Sequence, residues 1–279
     1  MPYDLGPMHR AALLAALLAA PSVSVAAPKA GGKGACGATI LPLNEGNTWS
    51  YQWVPPADPP DPSLVRLTPP APKTVTITVK KIEQQGKDTV VSLEEKIMYS
   101  YQSKDPAKPT LEDRTVATTI TCNATKFDIS PGSFFFAGEP GGFLGIKLDK
   151  VERKGTSWKL AKGTYGESEW PEDLVISWTR TPHEGSMGKP ATGKLELERR
   201  YTPAEAETIN TKTGQYKAEK LGLTTTGRVT LDVAVSADLK PMELPAGWTN
   251  VFWFVPGTGV IQVLNRFAHQ YQLVDSQLK

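Results

Sequence analysis

Residues 74–102 read TVTITVKKIEQQ, then GK, then DTVVSLEEKIMYSYQ. From Thr74 to Gln85 the apolar residues Val75, Ile77 and Val79 fall on alternate positions, and from Asp88 to Gln102 so do Val91, Leu93, Ile97, Tyr99 and Tyr101. A period of two sends successive side chains to opposite faces of a strand. Gly86-Lys87 supplies a tight turn between them. The pair reads as an antiparallel hairpin, the clearest in the chain.

Working outward, the same signals recur. Arg114 to Ala124 is Thr-rich and β-branched, Phe127-Asp128-Ile129 alternates, and Ser133 to Ala137 is a short aromatic run broken by Gly138-Glu139-Pro140-Gly141-Gly142. Further strand candidates are Leu144 to Val151, Trp158 to Ala161, Leu174 to Arg180, Lys194 to Thr202, Tyr216 to Thr226, Arg228 to Val235, Val251 to Val255, Val260 to Phe267 and Gln270 to Val274. Gly, Pro and polar turns separate them. Ala204-Glu205-Ala206-Glu207 after Pro203 suits one helical turn or a loop. No strand alternates with a long helix, so a parallel α/β fold is excluded. The expected fold is all-β: a large curved antiparallel sheet or incomplete barrel, with a two-sheet β-sandwich as the alternative.

The N-terminus carries an address. Ala11 to Ala20 is an apolar Ala/Leu run after His9-Arg10, followed by Pro21 and small residues. This is the layout of a cleaved signal peptide over residues 1–26. Ser24-Val25-Ala26 fits the small-x-small rule, placing the cut between Ala26 and Ala27. Asp4 sits oddly in a leader, and a start at Met8 would remove it. The apolar run falls well short of the ~20 residues that span a bilayer, and no later segment approaches that length. Residues 27–38 then form a Gly/Ala/Lys-rich lead-in, and residues 39–279 a single β domain. Cys36 follows Gly34-Ala35, not the aliphatic residue of a lipoprotein cleavage box. Cys36 and Cys122 are the chain's two cysteines, and in an exported protein they are expected to form a disulfide, with two free thiols as the alternative. The formal charge is +2, and losing Asp4 and Arg10 with the leader leaves it unchanged. That balance provides no field for nucleic acid or anionic membrane.

The domain opens on Leu41-Pro42-Leu43-Asn44-Glu45-Gly46-Asn47-Thr48-Trp49-Ser50-Tyr51, where the turn at Gly46 delivers Trp49, Tyr51 and Trp53 to one strand face. Residues 55–72 hold eight prolines in eighteen positions. Proline cannot donate to a ladder, so this stretch reads as an exposed insertion in one sheet, with an interdomain hinge as the competing reading. Gly214-Gln215-Tyr216-Lys217-Ala218-Glu219-Lys220-Leu221 lies later, and Trp253-Phe254-Val255-Pro256-Gly257-Thr258-Gly259-Val260-Ile261 nearly closes the chain. In order and spacing these three motifs resemble those of an uncharacterised group of secreted, strand-rich bacterial envelope proteins. That group usually carries Pro-Ala-Gly-Thr-Phe-x-Ala at the middle motif, whereas this chain has Thr211-Lys212-Thr213-Gly214-Gln215-Tyr216-Lys217-Ala218. The resemblance implies an architectural role for Gly46, Trp49, Tyr51, Gly214, Tyr216, Ala218, Trp253, Pro256, Gly257 and Gly259, and no activity.

Catalytic signatures are weak. His183 and His269 have no second His or Cys at ligand spacing, so no metal is expected. No Gly-x-Ser-x-Gly elbow occurs, and Gly138 to Gly145 lacks the lysine of a phosphate-cradling loop. Glu167, Glu169, Glu172 and Asp173 cluster around Trp170, with Trp158 and Trp178 near in sequence, an arrangement that suits glycoside hydrolysis if two acids flank a stacked sugar. A solvated acidic loop is the plainer reading. The sequence thus points to a non-enzymatic exported protein, periplasmic or extracellular, without cofactor and with an undefined partner. It is a structural or partner-docking module, or a carrier of an apolar ligand among Trp49, Tyr51, Trp53, Phe134, Phe136 and Trp253.

Overall fold

The computed structural model describes residues 34–35, 40–56, 71–101, 110–123, 126–136, 146–157, 168–180, 191–233 and 242–279. The signal peptide, most of the lead-in with Cys36, the centre of the proline-rich stretch, the 158–161 strand candidate, Glu167 and His183 lie outside the described residues.

Among the described residues, twelve strands form one antiparallel sheet. They are β1 (Thr48–Val54), β2 (Thr74–Gln85), β3 (Asp88–Tyr101), β4 (Thr110–Cys122), β5 (Phe127–Ile129), β6 (Ile146–Gly155), β7 (Trp170–Arg180), β8 (Ala191–Thr211), β9 (Gly214–Val233), β10 (Met242–Val255), β11 (Gly259–Leu264) and β12 (Gln270–Gln277). The order is β5-β4-β3-β2-β1-β12-β11-β10-β9-β8-β7-β6. Two meanders are therefore joined through the β1–β12 ladder, in which Thr48 meets Gln277 and Val54 meets Gln270. Read round a ring, the strands follow chain order, as in an up-and-down barrel. The β5–β6 junction is where the backbone ladder is missing.

The sheet curls until those two edges touch. Laid flat, twelve strands would hold the edges roughly 50 Å apart at ~4.8 Å per strand. Instead the Ile129 amide of β5 donates to Ser157 Oγ, just past β6, at 3.0 Å. The far end of the β8–β9 hairpin also folds over β1 and β12: Lys212 Nζ reaches Gln52 Oε1 at 2.5 Å, and Gln272 donates to the Asn210 carbonyl at 3.3 Å. This is the curved sheet or incomplete barrel that the alternation implied, and it excludes the two-sheet sandwich.

Several elements differ from the sequence expectation. Ser133 to Phe136 is a run of turns, not a strand. Trp170 to Asp173, read as acidic loop, opens β7, and Ala204 to Glu207 lies inside β8. β9 runs through Gly227, where two strands were expected, and β10 starts nine residues before Val251, at Met242. A ladder on at least one side satisfies these backbones whatever their local propensity. The prolines fit because each sits where its strand is an edge. Pro171 lies beyond the last β6 pair at Glu172, Pro203 beyond the last β7 pair at Tyr201, and Pro245 before β11 joins β10 at Val251. An edge position has no second ladder needing the missing N–H.

The inner face forms one large core. Trp49, Tyr51, Val75, Ile77, Val91, Leu93, Ile97 and Tyr99 from one half meet Leu221, Leu223, Phe252, Phe254, Val263 and Leu273 from the other, all essentially inaccessible to water. Farther along β7 and β8, Leu174, Ile176 and Leu197 make a smaller cluster. There Trp178 lies over its cross-strand partner Gly193, where a Cβ would stand 2.4 Å from the indole.

Candidate functional site

The most polar part of the interior is the seam between β5 and β6. Along β7 alternation turns Trp170, Glu172, Leu174, Ile176 and Trp178 inward, so Glu172 is a carboxylate in an apolar row, fully buried. Its Oε1 accepts from Ser157 Oγ at 3.0 Å and pairs with Arg153 at 2.8 Å. Its Oε2 accepts from Tyr201 Oη at 2.7 Å and pairs with Arg199 at 3.4 Å. Trp170 stacks on Tyr201 with ring centroids 5.2 Å apart. Burial, and then the charge of Glu172, hold the Tyr201 hydroxyl well above its ordinary pKa.

The same residues cap the edge of β5. The Phe127 amide donates to Thr156 Oγ1 at 3.1 Å, and that hydroxyl donates to the Phe127 carbonyl at 3.2 Å. Ser157 Oγ takes the Ile129 amide, and Arg153 Nη2 donates to the Ile129 carbonyl at 2.5 Å. Arg153 also stands 3.5 Å from Asp128. The N–H and C=O of both Phe127 and Ile129, the four groups that β5 turns away from β4, are thereby taken. An edge satisfied in this way offers no template for another strand.

This geometry bears on the glycosidase reading for Glu169, Glu172 and Asp173, the acids of that cluster that are described. Two flanking acids must face one bond. Glu172 and Asp173 are consecutive strand residues on opposite faces, Glu172 buried and Asp173 exposed. Glu169 is exposed and held by Arg200 at 3.3 Å and by Thr202 at 3.0 Å. The three described acids do not converge, and Trp178 is buried against Gly193 instead of offering a stacking face. His269 is half-buried, and burial pushes its pKa down to about 4. No group of three or more metal-ligating side chains occurs among the described residues.

The three motifs interlock. Trp49 Nε1 donates to the Thr258 carbonyl at 2.7 Å and Tyr51 Oη to the Val260 carbonyl at 2.9 Å, tying the first motif to the last. Gly259, at φ +104°, lies under Trp49, whose Nε1 would be 3.0 Å from an added Cβ. Gly46 takes φ +84°, and Asn47 beside it donates to the Pro42 carbonyl at 2.6 Å while accepting from the Lys279 amide at 2.9 Å. Pro256-Gly257 turns β10 into β11, and Trp253 lies opposite Gln262. Trp253 Nε1 donates to Glu207 at 2.9 Å and its ring lies under Lys220, which pairs with Glu207. Gly214 opens β9, and Tyr216 and Ala218 point into the core. Cys122 is buried in β4 and is not a free thiol.

One buried acid escaped the sequence reading. Glu95 belongs to the inward row of Val91, Leu93, Ile97 and Tyr99 and is fully buried. Its Oε1 accepts from Ser133 Oγ at 2.6 Å and its Oε2 from the Phe135 amide at 3.0 Å. The signal was present as a gap in an otherwise regular apolar alternation.

The binding candidates divide likewise. Trp49, Tyr51, Phe136 and Trp253 are buried core, and Trp53 and Phe134 pack against it. A surface depression of about 490 Å3 is lined by Asp173, Glu196, Glu198 and Arg228 beside Leu174 and Leu197, so it is not an apolar chamber.

No family model matches the chain, and no curated protein does. Among solved structures, the chain is similar to a candidate lipoprotein of Parabacteroides distasonis ATCC 8503, at 11% identity and a TM-score of 0.43, covering 86% of this chain and 99% of that one. It is also similar to a candidate exported protein with a YmcC-like fold from Bacteroides fragilis NCTC 9343, at 12% identity and a TM-score of 0.41 with the same coverage.

Proposed function

We propose that this protein is a non-enzymatic, exported β module of the bacterial envelope with a structural or partner-docking role. The observation that carries the reading is the close packing of the inner face among the described residues. Residues that would line an apolar site, from Trp49 and Tyr51 to Phe252 and Phe254, are packed against one another and against Phe135 and Phe136. A carrier needs a chamber of several hundred Å3 lined by such side chains. The buried carboxylate nearest to a catalytic group, Glu172, has both oxygens engaged by cations and hydroxyls. The Ala/Leu leader ending at Ser24-Val25-Ala26 and the resemblance of the three motifs support export. Docking by strand addition at β5 is disfavoured because its outward backbone groups are occupied.

The test uses the protein beginning at Ala27. Titration with a fluorescent fatty-acid analogue is expected to give no saturable signal, and incubation with polysaccharides no reducing ends. Saturable binding with unchanged thermal stability would transfer the protein to the apolar carriers. Hydrolysis lost in Glu169→Gln would make it an enzyme.

A further inference from the structure

A ring of eight strands is just wide enough for its own side chains to fill. Twelve strands enclose more, and here part of the space is taken by a segment outside the sheet. Residues 130–136 leave β5 in a series of turns and cross the inner face. Phe135 packs on Tyr51 with ring centroids 4.1 Å apart, and Phe136 meets Phe135 edge-on at 5.2 Å. Both rings are buried.

Two sets of hydrogen bonds fasten the segment. At its start the Ser130 amide donates to the Thr119 carbonyl of β4 at 2.9 Å. Beyond that, hydrogen bonds from the segment converge on Glu95. Ser133 Oγ and the Phe135 amide each take one carboxylate oxygen, and the Phe136 amide rests on the same Ser133 Oγ at 3.0 Å. We propose that residues 130–136 are a strap closing the inner face, and that Glu95 is its pH-sensitive latch.

Among the described residues, no charge near Glu95 compensates for its burial. Directly opposite it are Ile77 on β2 and Val116 on β4. On the same face of β4, Arg114 lies over the Tyr99 ring and pairs with Glu112 at 2.7 Å. Glu94 and Lys96 alternate to the other face of β3, and residues 130–136 contain no ionisable side chain. Loss of water around the carboxyl outweighs the strap's hydrogen bonds, and its pKa rises from 4.5 to about 7. With the strap open, the carboxyl meets water and returns toward 4.5. The closed state therefore binds the proton more tightly. Its advantage is full below pH 4.5 and is lost as pH rises to about 7. That interval of about 2.5 units corresponds to a shift in strap opening on the order of 100-fold.

Hydrogen exchange at the Phe135 and Phe136 amides, corrected for intrinsic rates and referred to β9 amides, tests this between about pH 5 and pH 8. Protection is expected to fall on the order of 100-fold as pH rises. In Glu95→Gln, which stays neutral, it is expected to be flat. In Ser133→Ala it is expected to be lower at every pH with the slope retained, so this variant still reports if Glu95→Gln does not fold. A flat wild-type profile, or a slope that survives in Glu95→Gln, overturns the latch.

Discussion

Arg153 on β6 donates to the carbonyl of Ile129 on β5 at 2.5 Å, joining the two strands at opposite ends of the sheet order. One guanidinium thus stands where a ladder would otherwise run. It reaches β5 from Glu172, whose other cation is Arg199. Two arginines and one glutamate thus link the two sheet edges from within.

Cutting that network is expected to open the seam. Glu172→Gln leaves Arg153 and Arg199 buried beside a neutral amide, and removing one partner of a buried ion pair costs about 3–5 kcal/mol. Urea denaturation should register this loss, with hydrogen exchange accelerating first in β5 and in residues 130–136. A midpoint equal to that of wild type would show that the edges do not depend on the network.

The contact between the first and last motifs makes a second prediction. Gly259→Ala places a Cβ 3.0 Å from Trp49 Nε1 at φ +104°, a conformation costing about 1–3 kcal/mol for a residue with a side chain. Trp253→Ala removes a ring packed between Lys220 and the core and should cost about 3–5 kcal/mol. A thermal melt within a degree or two of wild type for Trp253→Ala would refute an architectural role for that motif.

Cys122 is expected to pair with Cys36, with Cα atoms within about 7 Å. The bridge would close a loop of 85 residues between the two positions and stabilise the fold by about 4 kcal/mol on the chain-entropy argument. Thiol counting on unreduced protein should find none; two reactive groups would rule the bridge out.

His269 governs part of the acid limb. Burial pushes its pKa from 6.5 to about 4, so the stability it contributes is present above pH 6.5 and is lost as pH falls toward 4. Relative to His269→Gln, wild type should lose thermal stability steadily over that window. Parallel profiles for the two proteins would assign the acid limb to other groups.

The proline-rich stretch leaves and rejoins the sheet at adjacent points. Gln52 pairs with Thr74, and the Trp53 amide donates to the Lys73 carbonyl at 3.1 Å. Replacing residues 57–70 with a short Gly-Ser connection should leave circular dichroism and stability nearly unchanged, since closure entropy varies slowly with loop length. Loss of the β signal would mark the stretch as an integral element.

The sequence by itself determined the β character of the chain and the faces of its most regular strands. Alternation in 74–101 and glycine at 86 are local facts, and a two-residue turn with inward Val75, Ile77 and Val79 follows from them. It did not determine how far strands run, because Pro203 and the polar Ala204 to Glu207 remain extended only through the ladder to β9. Nor did it reveal which acids lie inside. Glu95 and Glu172 each occupy an inward position whose polarity locally predicts solvent, and Asp173 beside Glu172 looks the same in sequence yet faces water. What separates them is the partner supplied from far along the chain: Ser133 and Phe135 for Glu95, Arg153, Arg199 and Tyr201 for Glu172. A buried charge is tolerable only where such donors converge. Their convergence depends on strands far apart in the chain meeting across the curled sheet, so only the tertiary structure decided it.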